Sequence, residues 1–209
     1  MDISKKDSWS WNLASSGTFT VKKLTKVMED QIFAEAYNRG DETIRNYLVQ
    51  KKIEIFAWRA LKRRLPVRTE LDKRGIYLHS VRCPLCDDSI ETIDHTLIFC
   101  KHANEVWSRV FKWWNFGTFS IFTTNDLLRV QPSQVVSAAS FKIWQAVVWI
   151  SAYLIWKNQN NKAFRDKCWN APMALNEIQV LSFEWITHRT KGVKIEWFKW
   201  LSNPNIYVF

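Results

Sequence analysis

Cys83-Pro84-Leu85-Cys86-Asp87-Asp88-Ser89-Ile90-Glu91-Thr92-Ile93-Asp94-His95-Thr96-Leu97-Ile98-Phe99-Cys100 orders the rest of the chain around it. The spacing is Cys-x2-Cys-x8-His-x4-Cys. A Cys-x2-Cys turn brings two sulfurs together and can aim backbone N–H groups at them, and a histidine and a cysteine about one helical turn apart complete a tetrahedron. Cys83, Cys86, His95 and Cys100 are therefore expected to bind one structural Zn²⁺. Three thiolates and a neutral imidazole leave a site charge near −1, and no position remains for a catalytic water. Two other readings stand beside this one. Cys83 and Cys86 could form a redox pair, although Pro84 precedes an acidic loop rather than a helix, or the cysteines could be unligated core residues. Cys168 stands alone and reads as a packed residue. His102 is the nearby substitute for His95, and His79 and His188 read as ordinary histidines.

Immediately upstream, Ile53, Phe56, Ala57, Ala60 and Leu61 follow the spacing of one buried helix face. Lys52, Arg59, Lys62 and Arg63 gather on the opposite face, within about a third of the circumference at 100° per residue. Pro66 is expected to end this helix, and a short second helix from Arg68 to Arg74 should stop at Gly75, a favoured left-handed cap. From Lys51 to Arg74 the chain carries nine basic residues against three acidic ones, more than half of the net charge of +10. Such clustering, with a pI near 9.5, points to an anionic partner, nucleic acid being the commonest.

Further upstream, Trp9-Ser10-Trp11 and Thr18-Phe19-Thr20-Val21 alternate around Ser16-Gly17, which predicts an N-terminal β-hairpin. A helix with Val21, Leu24, Val27, Met28 and Ile32 inward should follow, and then a polar tether from Glu35 to about Tyr47. Downstream, Ala103 to Trp114 reads as a helix with Val106, Trp107, Val110 and Phe111 inward. An irregular connector covers 113–135. A long helix from about Ser137 to Phe164, apolar nearly all round, and another opened by Asn170-Ala171-Pro172, with Leu175, Ile178, Leu181 and Trp185 inward, form a C-terminal helical region over 136–209. The fold class is thus mainly α (α+β): a hairpin, helices around a Cys3His knuckle, and a C-terminal helical unit.

Composition agrees. With 47% hydrophobic residues, 13 Trp and 13 Phe the chain can bury a real core, and 5 Gly and 5 Pro favour long helices over many short strands. No signal peptide is visible at Met1-Asp2-Ile3-Ser4, and the uninterrupted apolar run near Ala146 to Trp156 falls short of the ~20 residues of a membrane span. Asp87-Asp88 follows a metal ligand and reads as a solvated loop rather than a catalytic pair. No His-x-Glu precedes the Cys-x2-Cys, and neither a phosphate-cradling glycine loop nor a nucleophile turn is present. The chain is therefore expected not to be an enzyme and to use no small-molecule substrate.

Three further runs carry a resemblance. Trp9-x-Trp11 with Gly17-x-Phe19-x-Val21-Lys22; Lys52-Ile53 with Phe56-x-Trp58-Arg59; and Arg64-Leu65-Pro66-x-Arg68 with Leu71 and Arg74-Gly75-Ile76 precede the knuckle. With Glu91-Thr92 and Val106-Trp107 around the ligands, residues 9–112 resemble the reverse-transcriptase zinc-binding domain of plant non-LTR (LINE-type) retrotransposons. Trp156-Lys157-Asn158-x-Asn160 and Phe164 are similar to the segment that often follows it. Arg45 stands where similar sequences commonly have Trp, and Gln159 where they commonly have Arg, which bears on the tether packing and on one surface contact.

The resemblance implies the C-terminal part of an RNA-directed DNA polymerase without its palm, holding template RNA or target DNA, intracellular and in the nucleus. Lys52, Arg59, Lys62, Arg63, Arg64, Arg68 and Arg74 would touch phosphates, with Trp58 mainly packing. The alternative is a protein-interaction module that docks on a reverse transcriptase core, or dimerises, through its Trp-rich C-terminal helices. No membrane partner is expected.

Overall fold

A computed structural model describes residues 10–12, 17–28, 45–117, 120–133, 137–167, 170–190 and 194–207. The chain divides into two compact units, Met1–Ile44 and Arg45–Phe209.

In the first unit the expected hairpin does not form: among the described residues there is no strand, and Trp9 lies outside them. A turn-closing bond joins the Trp11 N–H to the Gly17 carbonyl (2.8 Å), and the Trp11 and Phe19 rings meet edge to face at 5.4 Å. The reason lies at Thr20. Its hydroxyl accepts from the Lys23 N–H (3.2 Å) and its carbonyl from the Leu24 N–H (3.0 Å), so it caps a helix (α1, residues 21–28) and draws Val21 out of the alternating run. An isolated two-stranded ribbon is marginal in water and offers little to compete with a capped helix. Ile32 and residues 35–44 of the expected tether lie outside the described residues.

The second unit is helical. Its elements are α2 (Lys51–Leu61), α3 (Arg68–Asp72), a π-helical turn (His95–Phe99), α4 (Lys101–Trp113), α5 (Thr124–Arg129), α6 (Ala138–Arg165), α7 (Ala171–Arg189), α8 (Trp197–Ser202) and a 3-10 turn (Pro204–Tyr207). α6 is the axle. α2, α4, α5, α7 and the π turn all pack on it, which is why its sequence is apolar around most of its circumference. Its length and composition would suffice to cross a membrane, but 72% of its most apolar window is buried inside the protein.

Expected and observed elements differ in instructive places. α2 buries Ile53, Phe56, Ala57 and Ala60 as its periodicity requires, but ends before Pro66: Lys62 leaves helical geometry and Arg63 turns left-handed (φ 53°). α3 stops on Gly75 (φ 75°), with the Ile76 N–H on the Leu71 carbonyl (3.1 Å) and the Gly75 N–H on that of Asp72 (2.8 Å), the paired bonds of a Schellman cap. The connector is not wholly irregular. It contains α5, whose Thr123 and Asp126 form a reciprocal capping box, with Leu127 and Leu128 buried. α7 starts at Asn170, whose side chain accepts from the Met173 N–H (3.2 Å). Its buried face runs through Ala174, Ile178, Ser182 and Trp185, leaving Leu175 and Leu181 half-buried.

Tryptophans knit these helices together. Trp114 is fully buried, with Trp144, Phe116, Trp113 and Trp200 around it at 5.1–5.8 Å. Buried indole N–H groups need acceptors; that of Trp114 has none, whereas four others take carbonyls at element ends or in the middle of α7. Trp149 donates to Leu128 (3.0 Å), Trp144 to Val130 (2.9 Å), Trp113 to Trp200 (3.0 Å) and Trp200 to Gln179 (3.2 Å).

Candidate metal centre

The Cys83–Cys86 turn is shaped by backbone bonds. The Cys83 N–H donates to Ser89 (2.8 Å), the Asp87 N–H to Cys83 (2.9 Å), and the Glu91 N–H to Val81 (2.9 Å), while Arg82 and Ile90 form one antiparallel bridge. Asp87 makes the reversal in the left-handed region (φ 54°), which Asp tolerates better than most residues. Asp88 is exposed and pairs with Lys101 (2.9 Å), so the acidic dipeptide is a solvated loop.

His95 and Cys100 come from the π turn. Five residues of α-helix rotate the chain by about 500°, some 140° past a full turn, which would point the two ligands apart. The wider i→i+5 turn, closed by the Cys100 N–H on the His95 carbonyl (2.8 Å), returns them to the same side. Thr92 starts this segment, its hydroxyl accepting from the His95 N–H (3.0 Å), and the Trp107 indole caps the Leu97 carbonyl (2.7 Å).

All four side chains are buried, and their ligand atoms lie within 4.8 Å of one another. Cys83 Sγ is 3.9 Å from Cys100 Sγ, and Cys86 Sγ is 3.4 Å from His95 Nε2. Tetrahedral zinc with its usual bond lengths separates two sulfurs by about 3.8 Å, and a sulfur from a nitrogen by about 3.6 Å. The cluster fits that ion, and 3.9 Å is far outside the ~2.05 Å of a disulfide. One zinc ion, bound structurally, is the cofactor of this fold. Among the described residues no other group gathers ligands in this way. Cys168 lies outside them, and His102 Nε2 donates to the Leu85 carbonyl (3.2 Å) instead of joining the cluster.

The electrostatics prepare the ligands. The Cys83 thiol donates to Cys100 and is buried, both of which push its pKa far up. Cys100 is lowered by that bond against the opposing effect of burial, with help from the N–H groups of His102 and Ala103 at the start of α4. Burial lowers His95, with Asp88 opposing, and keeps its imidazole neutral and able to ligate. A cation replaces the proton that the two thiols share, so zinc affinity must rise with pH.

Two residues that the sequence reading undervalued complete the surroundings. Glu91 is buried and accepts from the Arg68 N–H (3.3 Å), with the Arg68 guanidinium at 3.5 Å. Gln159 of α6, expected at a surface contact, is 2% exposed and lies against Glu91 and Cys83. Glu91 was readable only as part of a motif run, and Gln159 only as a departure from one.

The seven expected phosphate ligands fall into two groups. Arg63 is held by Asp94 (2.9 Å), and Arg68 by Glu91 and the Arg82 carbonyl (2.7 Å). Lys52 lies over the Tyr153 and Trp185 rings (5.9 Å each) and Arg64 over Trp58 (5.6 Å), leaving both side chains exposed like Arg59 and Arg74, with Lys62 half-buried. The Lys52, Arg59, Lys62 and Arg63 stripe is not one helix face, because Lys62 and Arg63 lie beyond the end of the helix.

Comparison with curated proteins and with solved structures gave no match. Residues 19–107 match the family model described as zinc-binding in reverse transcriptase, and all four ligands fall within the matched stretch.

Proposed function

We propose that the chain is a zinc-stabilised accessory module of the reverse-transcriptase type that holds RNA or DNA, acting beside a polymerase rather than as an enzyme. The origin that best accounts for its motif runs is a plant LINE-type element, with the module C-terminal to the polymerase and at work in the nucleus. The observation that carries this reading is the basic stretch from Lys51 to Arg74, fixed in place by the knuckle, with Arg59, Arg64 and Arg74 turned to solvent. The two guanidiniums bound to carboxylates, Arg63 and Arg68, serve as struts. Lys52, Arg59, Arg64 and Arg74 are the exposed phosphate ligands, and contacts of this kind give affinity without reading sequence.

Fluorescence anisotropy with RNA and DNA oligonucleotides over a salt series tests the proposal. If four phosphates of a duplex are neutralised, log affinity against log salt should slope at about −4. The double variant Arg59→Glu, Arg74→Glu should weaken binding at least tenfold with helicity unchanged. Salt-independent affinity, or no binding at low salt, refutes the reading. Docking through the C-terminal tryptophans is the second reading: Trp144, Trp149, Trp185 and Trp200 are buried, which counts against it, while Trp156 and Trp197 are half-buried.

A further inference from the structure

The family match ends at residue 107, but the surroundings of the metal ligands do not. Gln159, on the second-to-last turn of α6, is 2% exposed and lies under the knuckle, far along the chain from every ligand. Its side-chain nitrogen donates to Glu91 Oε1 (2.8 Å) and to Cys83 Sγ (3.8 Å). A primary amide has two N–H bonds, and here each meets an acceptor that is anionic when ionised. The opposite amide orientation would set the oxygen against a carboxylate and a thiolate. The chosen one leaves Oε1 without a hydrogen-bond partner, so the amide is placed to serve the sulfur and the carboxylate at the expense of its own acceptor.

We propose that Gln159 is an outer-shell donor to the Cys83 thiolate, so that the metal centre is a composite of the knuckle and α6, and zinc fastens the C-terminal helices to the basic segment. Three thiolates around a divalent ion leave excess negative charge on sulfur, and N–H donors reduce it. Backbone N–H groups of Leu85 and Cys86 serve Cys83 from within the turn, and Gln159 adds a side-chain donor from another element. By linkage, what the amide contributes to metal binding, the metal returns as attachment of α6. This inference is independent of nucleic-acid binding.

The test uses the full chain. Gln159→Met keeps the length of the side chain and removes its donors. It should bind zinc 10–100-fold more weakly in chelator competition, the usual range for an outer-shell partner, and should shift the thiolate charge-transfer band of the cobalt-loaded protein. Lys157→Met, on the same helix but paired with Glu177 at the surface, should change neither. Equal zinc affinity and an equal cobalt spectrum in Gln159→Met overturn the proposal. Should that variant fail to fold, the unaltered cadmium-loaded protein decides. A scalar coupling between the metal nucleus and the Gln159 side-chain amide protons reports the N–H···S bond directly, and its absence overturns the proposal.

Discussion

Two carboxylates beside the knuckle behave in opposite ways. Burial would push Asp94 up, but the Thr124 hydroxyl (2.6 Å), the Arg63 guanidinium and the Thr124 N–H outweigh it and hold the carboxyl below its ordinary value. Asp94 thus ties the left-handed turn after α2 to the start of α5, one residue before a metal ligand. Glu91 is pushed up to about 7 by burial, with the N–H and charge of Arg68 only partly opposing. A carboxyl whose folded pKa exceeds its unfolded value of 4.5 binds its proton more tightly when folded. Its stabilising contribution is full below about pH 4.5 and is lost as pH rises through 7. Glu91→Gln removes that loss. In thermal melts of zinc-loaded protein, the variant should gain on the unaltered chain as pH rises from 5 to 8, and a difference independent of pH would refute the assignment.

Elements show how far local sequence reached. α2, α6 and α7 were legible because their periodicity or caps are strong, and the four ligands because their spacing is rigid. The π turn was not, since its His-x4-Cys spacing fits a loose notion of one helical turn and only the requirement that both ligands face one ion selects the wider geometry. The hairpin failed because alternation at Thr18 to Val21 competes with a Thr20 cap, a contest decided by a few tenths of a kcal/mol to about 1 kcal/mol. α5 was missed although Thr123-Thr124-Asn125-Asp126 carries a capping-box pattern, because six residues are too few for a periodic signal. That cap should be measurable. Thr123→Ala frees the Asp126 N–H and should lower stability by about 1 kcal/mol in urea unfolding, while Thr124→Ser, which keeps a hydroxyl for Asp94, should fall within about half of that.

At the scale of the whole second unit, the basic helices and the knuckle bury much of their apolar surface against the C-terminal helices. α2 buries Ile53, Phe56 and Ala57 and packs on α6 and α5, and its Phe56 meets Tyr153 and Trp156 of α6 at 5.6 Å. α4 packs on α7, and Trp113 and Trp114 close on Trp200. Asn46, fully buried at the start of the unit, donates to the Lys142 carbonyl (2.8 Å) and to Gln145 (3.2 Å), both on α6. No periodicity read along the chain could reveal these pairings, because each joins residues that are tens of positions apart. Their consequence is an expectation that the basic helices and the knuckle do not fold cooperatively without α5 to α8. A polypeptide of residues 45–117 keeps all four ligands and loses α5 to α8, and with them Tyr153 and Trp156 against Phe56 and Trp144 and Trp200 against Trp113 and Trp114. Zinc can close the knuckle turn in such a fragment, but a small unit stripped of much of its core rarely unfolds cooperatively. It should show no cooperative thermal transition with zinc present, whereas residues 45–209 should show one that disappears on chelation. A cooperative, zinc-dependent melt in the short fragment would mean that the knuckle organises the basic segment alone.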